Sequence, residues 1–496
     1  MHERTVPLDL PPDEFRRLGH QLVDRVAAHL ETLPGRAVTV GDSPSRIREL
    51  LGEGPLASGA GDPARILDET ARLLFEHSLF NGHPRFWGYI TASPAPLGML
   101  GDFLAAAVNP NAGAYVLAPV ATEIEKQTVR WIAELIGYPA SCGGIMVSGG
   151  NMANMVAFLA ARRAKASWDV RQMGLRGGPA QLVAYASRET HTWIHKAADL
   201  FGLGLDAIRW IETDDHQRMN VPALEQAIES DRKAGHAPFI VVGTAGSVST
   251  GAIDPLADIA EACTRHGLWF HVDGAYGAPA ACLPEAPADL KALARADSVA
   301  VDPHKWLYAP LEAGCTLVRD PRHLVDAFSF HPEYYHFSDA GDGDTPTNFY
   351  ELGLQNSRGF RALKVWLGLR HAGRDGYVRM IRDDIALAES MYDAAKAHPE
   401  LETFTLGLSI ATFRFVPAGL TLEGAERERY LNDLNSALVT RLQAEGRAFV
   451  SNAVINGAYV LRACIVNFRT RQEDADALPD IVVQTGRAIM GEVAKP

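Results

Sequence analysis

The N-terminal part of the chain shows helical periodicity. Apolar side chains recur every three or four positions in residues 11–35, PPDEFRRLGHQLVDRVAAHLETLPG, which predicts an amphipathic helix. A stretch rich in glycine, proline and serine follows from about Pro34 to Pro63, and a second helix is predicted in ARILDETARLLFEHSLF. The first helix needs a partner surface on which to bury its apolar face.

From about residue 140 the pattern changes to short apolar runs that alternate with helical patterns. The predicted strands are GGIMVSGG, QLVAYAS, DAIRWIET, PFIVVGTAG, LWFHVDGA, DSVAVDP and GCTLVRD. They are separated by helical patterns such as NMANMVAFLAARRAKA and PLADIAEACTRHG. Runs of this kind are typical of a mostly parallel sheet covered by helices, so the predicted fold class is α/β.

The last part of the chain combines a long helical pattern with mixed strands and helices. The helix runs through DGYVRMIRDDIALAESMYDAAKAH, and the strands include FTLGLSIATFRFVP. We therefore predict an N-terminal helical segment (1–85), a large α/β domain (86–375) and a smaller α+β domain (376–496).

Composition narrows the classes of function. The 496 residues carry 47 Lys and Arg against 60 Asp and Glu, a net charge of −13, which disfavours binding to nucleic acid or to an acidic membrane. A small-molecule substrate is the better expectation. Five scattered cysteines without a CxxC pair indicate neither a disulfide framework nor a zinc site. Neither a secretion signal nor an apolar run of about 18 residues is visible, so we expect a cytoplasmic protein.

Polar residues follow several predicted strands, at the sheet edge where ligands of α/β proteins bind. The strand that ends at Val147 is followed by SGGN, residues 148–151, which opens a helix. Free N–H groups at a helix N-terminus suit an anion, most simply a phosphate. The segment matches neither GxGxxG nor GxxxxGK[ST], and a glycine turn before a helix is also common without a ligand.

Two charged residues follow successive apolar runs. Asp273 ends LWFHVD, where a partly desolvated carboxylate needs a cationic or proton-donating partner, although it could equally cap the next turn. Lys305 comes soon after the run that ends at Val301. A buried ammonium is costly there, and a covalent imine removes most of that cost. The alternative is a lysine whose charged end reaches solvent.

Two histidines lie four residues apart in HTWIHKAADLFGLG. His191 and His195 supply half a zinc site at most, and no HExxH glutamate accompanies them, so we predict no metal. His191 follows a strand and could instead lie flat over a planar cofactor. A phosphate cradle, a buried carboxylate, a strand-end lysine and a stacking histidine together meet the needs of pyridoxal 5′-phosphate.

The chain also resembles the pyridoxal-phosphate-dependent group II decarboxylases, whose best-known member is aromatic-L-amino-acid decarboxylase. The matching motifs are FRRLGHQLVDRVAAHLE, HPRFWGYI, APVATEIEKQTVRWIAELIGYP, SGGNMAN, HTWIHKAADLFGLG, HVDGAYGA, DPHKW and NSRGFRALKVW. Their joint order and spacing are specific, and they cover roughly residues 12–380. The resemblance implies a fold type I homodimer whose active sites lie between subunits and whose N-terminal helices pack on each other.

The resemblance also implies roles for individual residues. Lys305 is the lysine that forms the imine, Asp273 pairs with the pyridine nitrogen, and Ala275 and His191 cover the two faces of the ring. The phosphate contacts are Gly150, Asn151, Ser247, His304, Asp302 and, from the other subunit, Ser357. Family members often carry Asn where Asp302 stands, and an acid beside a phosphate requires a proton or a basic neighbour.

The implied reaction is decarboxylation of an L-amino acid, most simply an aromatic one, to the amine and carbon dioxide. Tyr334 in HPEYY matches the loop tyrosine that protonates the α-carbon, and Tyr335 leaves its register open by one. The candidate substrate-pocket residues are Trp87, Tyr89, Ile90, Thr91 and Asn111, which suit a bulky side chain but equally suit a core.

Three alternatives remain at this point. One is oxidative decarboxylation and deamination to an aldehyde, which the presence of Tyr334 and His191 disfavours. Another is a non-aromatic substrate. The third, a scaffold without activity, is disfavoured because Lys305 and Asp273 are costly charges to keep buried without a function.

Overall fold

A computed structural model describes residues 6–330 and 346–492 of the chain. The α-helices within this part are α1 (Pro12–Thr32), α2 (Pro44–Leu51), α3 (Pro63–His77), α4 (Pro96–Val108), α5 (Pro119–Leu135), α6 (Gly150–Lys165), α7 (Val170–Met173), α8 (Trp193–Leu200), α9 (Val221–Lys233), α10 (Leu256–His266), α11 (Ala288–Lys291), α12 (Arg322–Phe328), α13 (Ala362–Ala397), α14 (Gly424–Glu445) and α15 (Gln472–Ile489). Proline opens the first five of these helices, a position where its fixed φ fits and its missing N–H costs nothing.

The strands form two sheets. They are β1 (Phe86–Trp87), β2 (Gly143–Val147), β3 (Leu182–Ser187), β4 (Ile208–Ile211), β5 (Ala237–Thr244), β6 (Trp269–Asp273), β7 (Ser298–Val301), β8 (Gly314–Val318), β9 (Leu401–Gly407), β10 (Ile410–Phe415), β11 (Phe449–Ile455) and β12 (Ala458–Cys464). Every predicted run between residues 140 and 320 therefore contains a strand.

The large sheet carries the candidate chemistry. Its strand order is β2-β8-β7-β6-β5-β3-β4, with β8 antiparallel to both neighbours and the other pairs parallel. Alternate residues of β3 enter opposite cores, with Val183 and Tyr185 in one and Leu182 and Ala184 in the other. Both faces are buried under helices, which explains why the strands are apolar throughout, and the α/β class is confirmed.

The small sheet has the order β1-β11-β12-β10-β9, and α13, α14 and α15 pack on it. Strand β1 joins it by parallel pairing with β11, so Phe86 and Trp87 belong to the small sheet and not to the large one. Helix α13 runs across the predicted boundary at residue 375 and kinks at Gly373, whose φ of 62° suits glycine. The three predicted domain ranges stay predictions.

The N-terminal segment is helical, as predicted, with one addition. Helix α1 contacts α3. Helix α2 lies within the stretch from Pro34 to Pro63 that the sequence indicated as a linker, because Ser43 caps the N–H of Arg46 and Pro44 opens the helix.

Two findings bear on the environment of the chain. No helix in residues 6–330 and 346–492 is both long and apolar enough to cross a bilayer. All five cysteines are free thiols. The cytoplasmic location stays a prediction.

Candidate active site

One cavity of about 500 Å³ lies at the carboxyl ends of the large sheet. Its lining includes eight of the predicted residues: Gly150, Asn151, His191, Asp273, Ala275, Asp302, His304 and Lys305. A second cavity, of about 800 Å³, lies beside α5 and has none of the predicted site residues in its lining. The chemistry, more than the volume, identifies the smaller cavity as the candidate site.

Asp273 is held at the end of β6, between β5 and β7. The residue is 7% exposed, and its two carboxylate oxygens accept different N–H groups. Oδ2 accepts the indole N–H of Trp193 at 2.8 Å, and Oδ1 accepts the backbone N–H of Ala275 at 3.2 Å. Donors of this kind stabilise a buried carboxylate as the anion, and each oxygen retains a lone pair for another donor.

Lys305 projects from a tight turn after β7, since its N–H donates to the carbonyl of Asp302 at 2.9 Å. Trp306 and Tyr308, which follow it, are buried, and both donate to Oδ2 of Asp384 on α13 at 2.8 Å. Tyr308 has a φ of 55°, which is uncommon for a residue other than glycine. The buried anchors fix the backbone that presents the lysine to the cavity.

The turn between β2 and α6 has room for an anion because two residues lack a Cβ. Gly149 has a φ of 138°, and a Cβ at this position would lie 3.2 Å from Cε1 of His304. A Cβ at Gly150 would lie 2.6 Å from Oδ2 of Asp302. The N–H of Ala153 is bonded to the carbonyl of Gly149, which leaves the preceding amides of the first turn for a ligand.

A buried hydrogen-bond chain ties this turn to the strand that carries Asp273. The imidazole of His271 on β6 bonds Ser298 Oγ through Nδ1 (2.8 Å) and Asn154 Oδ1 through Nε2 (2.7 Å). The side-chain amide of Asn154 then donates to the carbonyl of Gly150 at 2.9 Å. Burial lowers the pKa of His271 to about 4, so the chain operates with a neutral imidazole.

His271 should make the stability of the protein depend on pH. An unfolded histidine titrates near 6.5, so between pH 6.5 and 4 the unfolded chain binds a proton that the folded chain does not. The stability that the neutral group contributes is complete above pH 6.5 and is lost as the pH falls, by about 3 kcal/mol in total. Urea unfolding of the wild type and of His271→Gln across this range should show their difference in unfolding free energy shrinking toward low pH.

The wild type and His271→Gln share all their other titrating groups. The difference between their unfolding free energies therefore cancels the contribution of those groups to the pH dependence. The matched control is His20→Gln, which replaces an exposed histidine on α1 that lies outside the buried hydrogen-bond chain. A difference between wild type and His271→Gln that stays constant from pH 7 to 4 would contradict the neutral, buried imidazole.

Asp302 has the basic neighbour that an acid at this position requires. The residue is 1% exposed, and Oδ2 lies 3.0 Å from Nζ of Lys305 and 3.7 Å from Nε2 of His304. Oδ1 has no hydrogen-bond partner among the described residues. The carboxylate also stands beside Gly150, so its negative charge lies next to the amides that suit a phosphate.

Asp302→Asn should therefore bind pyridoxal phosphate about tenfold more tightly, because it removes a like charge from the phosphate side of the cavity and keeps the side-chain shape. The dissociation constant can be measured by absorbance titration of the protein freed of cofactor. Asp297→Asn is the control, since this carboxylate accepts the N–H of Phe270 at the opposite end of β6 and β7. Unchanged or weaker binding by Asp302→Asn would show that its charge does not oppose the phosphate.

His191, which follows β3, and His304, which follows β7, both line the cavity. His191 precedes α8, which begins at Trp193, and its Nδ1 accepts the Trp193 backbone N–H at 3.4 Å. Its ring is exposed to the cavity, yet desolvation by the surrounding atoms lowers its pKa, an effect that Asp273 opposes. Burial also lowers the pKa of His304, with Asp302 acting in the opposite direction. The lowered pKa values favour neutral imidazoles near pH 7.

The structure does not bring several predicted residues into this cavity. Ser247 is buried, and its hydroxyl bonds that of Thr250 at 2.9 Å, while Gly246 and Val248 on either side line the cavity. Ser357 is exposed and lies outside the lining described. Tyr334 lies outside the described residues, so its role stays a prediction.

The five candidate substrate-pocket residues also lie outside the lining of the described cavity: Trp87, Tyr89, Ile90, Thr91 and Asn111. Trp87 is fully buried in the core beside the small sheet, where its indole N–H donates to Thr470 Oγ1 at 3.2 Å. Ile90 belongs to the core that includes one face of the large sheet. The side-chain oxygen of Asn111 accepts the N–H groups of Gly113 and Arg358. The assignment of these residues to the substrate finds no support in this cavity.

Three residues that the sequence did not single out belong to the site or its border. Thr244 ends β5 and lines the cavity, and its buried Oγ1 has no partner among the described residues. Glu189 also lines the cavity. Arg462 on β12 is 3% exposed and donates to the carbonyls of Val248 and Tyr89. Thr244 could have been found as the polar end of an apolar run, but no local pattern reveals Arg462.

These features fit pyridoxal phosphate. The glycine cradle and the first-turn amides of α6 suit its phosphate, Asp273 suits a protonated ring nitrogen, and Lys305 suits its aldehyde. The unpartnered hydroxyl of Thr244 on the lining is available for a further hydrogen bond to a ligand in this cavity.

Comparisons with known proteins agree with this fit. Residues 53–415 match the family model described as pyridoxal-dependent decarboxylase conserved domain. The chain is 34% identical over 469 residues to aromatic-L-amino-acid decarboxylase of Bacillus atrophaeus, covering 94% of each protein. It is 29% identical to phenylacetaldehyde synthase of Petunia hybrida, covering 92% of this chain and 91% of that protein. The crystal structure of Oryza sativa TDC with PLP and tryptamine superposes with a TM-score of 0.89 at 26% identity, covering 98% of this chain and 100% of that one.

Proposed function

We propose that this chain, which belongs to the pyridoxal-dependent decarboxylase family, acts on an aromatic L-amino acid and releases the corresponding amine. The family membership makes it a carboxy-lyase that uses pyridoxal phosphate. The observation that carries the proposal is the convergence of Asp273, Lys305 and the Gly149–Gly150 cradle on one cavity.

When bound, pyridoxal phosphate accepts into its ring the electron pair that carbon dioxide leaves on the α-carbon. Asp273, held by two N–H donors, would accept a hydrogen bond from a protonated ring nitrogen. Lys305 would hold the aldehyde carbon through its amine. His191 and Ala275 line the same cavity, where they would pack against the ring, and the lowered pKa of His191 would suit it to accept or donate a proton there.

The lining of the cavity supports an aromatic substrate more than an acidic one. Apolar side chains on the lining include Met152, Met155, Val248 and Leu311. Glu189 stands on the same lining, and its negative charge would repel the side chain of an acidic amino acid. The names of the Bacillus and Oryza proteins agree with an aromatic substrate.

The test is a panel of L-amino acids offered to the holoenzyme, scored for amine and carbon dioxide. Tryptophan, tyrosine, phenylalanine and DOPA are compared with histidine, glutamate and leucine. We expect kcat/KM for the best aromatic substrate to exceed that for glutamate and leucine at least about a hundredfold. Glutamate or leucine as the best substrate would overturn the aromatic assignment and leave decarboxylation itself standing.

A second candidate is oxidative decarboxylation and deamination to an aldehyde. The similarity to a phenylacetaldehyde synthase favours it, and His191 at the cavity disfavours it. The two reactions differ in their products, because the oxidative route consumes oxygen and forms ammonia and hydrogen peroxide. Peroxide at less than a few per cent of the carbon dioxide would exclude it as the main reaction.

We also propose that the protein works as a homodimer. Helix α4 exposes an apolar row, Leu100, Phe103, Leu104 and Val108, and Phe15 of α1 stacks on Phe103 with ring centroids 6.4 Å apart. Apolar surface of this extent is typical of a contact between subunits. Light scattering should give twice the chain mass, and a monomer at micromolar concentration would contradict the proposal.

A further inference from the structure

The indole of Trp193 is fully buried against the strand that carries Asp273. It is the first residue of α8, and its ring lies edge-on to His271, with centroids 5.8 Å apart, and to Phe158, at 6.1 Å. These contacts fix the ring, so the indole N–H has one direction available. That direction leads to Oδ2 of Asp273 at 2.8 Å.

Trp193 also contacts His191, a second residue of the cavity lining. Its backbone N–H donates to Nδ1 of His191 at 3.4 Å, while its side chain holds Asp273 on another strand. Asp273 and His191 both line the cavity, but Trp193 itself is not part of the lining described. Any effect of Trp193 on a bound cofactor would therefore have to pass through these two residues.

The demands on Asp273 are strict. A carboxylate that keeps a pyridine nitrogen protonated has to stay ionised in a water-poor site and has to present a lone pair in the plane of the ring. The Ala275 N–H holds Oδ1, but at 3.2 Å it is the longer of the two bonds. Without a donor on Oδ2, rotation about the Cβ–Cγ bond would let the carboxylate turn away from the ring.

We propose that Trp193 is a positioning residue for the cofactor, whose indole N–H fixes the Asp273 carboxylate for the pyridine nitrogen. The inference rests on pyridoxal phosphate as the cofactor and not on the identity of the amino-acid substrate. A test that rejects an aromatic substrate would therefore leave this inference unaffected.

The test is a double-mutant cycle on cofactor affinity. Trp193→Phe keeps a buried aromatic ring and the backbone bond to His191, and it removes the indole N–H together with part of the ring volume, so the second background is needed to separate the hydrogen bond from packing. The dissociation constant for pyridoxal phosphate, measured by absorbance titration, should rise about tenfold or more, the usual weight of a hydrogen bond to a charged group. The same substitution in an Asp273→Asn background should change the constant less than about threefold, because the charged acceptor is already gone.

Two results would overturn the proposal. One is an unchanged dissociation constant for Trp193→Phe. The other is an equal loss of affinity in both backgrounds, which would assign the effect to packing. The control is Trp366→Phe, which removes an indole N–H bonded to Gln127 Oε1 at 2.7 Å outside the cavity, and which should leave the affinity unchanged.

A second measurement keeps the proposal testable if Trp193→Phe does not fold. The chain has eight tryptophans, so the indole N–H resonances of ¹⁵N-tryptophan-labelled holoenzyme can be assigned one by one. Asp273→Asn should shift the resonance of Trp193 and leave that of Trp366 in place. An unshifted Trp193 resonance would contradict the hydrogen bond.

Discussion

Lys305→Ala should abolish both the visible absorbance of the lysine-bound cofactor and decarboxylation, with a loss of at least roughly a thousandfold in kcat. Alanine has no amine with which to hold the aldehyde carbon, and Lys305 is the only lysine on the lining described. Absorbance spectra and carbon dioxide release, measured on the same preparation after incubation with pyridoxal phosphate, check the two parts of the prediction together.

The matched control for Lys305 is a buried lysine outside the cavity. Lys364 on α13 is 5% exposed, and its Nζ lies 3.1 Å from Asp102 Oδ2, away from the cavity. Lys364→Ala should retain the absorbance and the activity of the folded fraction. If Lys305→Ala kept the absorbance and normal turnover, the candidate site would be wrong.

Asp273→Asn should lower kcat by roughly two to three orders of magnitude, the usual cost of removing one electrostatic stabiliser from an active site. Asparagine fills the same volume but carries no charge to hold the ring nitrogen protonated. The visible absorbance should remain, because Lys305 is intact. Turnover with saturating cofactor and the spectrum of the variant are the two measurements.

Asp297→Asn serves as the control for this substitution as well, since its carboxylate lies at the other end of the same two strands. It should leave kcat within about twofold of the wild type if it folds normally. Turnover of Asp273→Asn close to that of the wild type would remove Asp273 from the reaction and leave the cofactor without its charge partner.

The large sheet and the strand-end residues could be predicted because their signals are local. Each strand is a short apolar run, and parallel strands bring their carboxyl ends to one edge, so the sequence predicted Asp273 and Lys305 at the same edge of the sheet. That β6 and β7 are neighbours is seen only in the structure. The two glycines where α6 begins could also be singled out from the sequence. In the structure, a Cβ at Gly149 or Gly150 would crowd His304 or Asp302, so glycine is needed at both positions.

The features that the sequence did not reveal depend on contacts between distant parts of the chain. Trp87 is drawn into the small sheet by pairing with Val450, and no pattern near residue 87 reveals that partner. Arg462 approaches the cavity from the same sheet. The indole bond between Trp193 and Asp273 spans 80 residues, so the sequence gives no indication of it.

The contact between Asp302 and its basic neighbour Lys305 could not be predicted either, although the two residues are close in the sequence. The sequence placed Lys305 three residues away, but only the turn after β7 brings the ammonium to within 3.0 Å of the carboxylate. Spacing alone does not determine such a contact, because it depends on the rotamers of both side chains.

Borohydride reduction of the holoenzyme, followed by peptide mapping, tests the central claim most directly. The reduction converts the imine between the cofactor and its lysine into a stable amine, so the modified peptide reports where the cofactor is bound. The account predicts a single phosphopyridoxyl group on Lys305, in the peptide that contains DPHKW. A label on another lysine, or no label at all in protein that shows the visible absorbance, would contradict it.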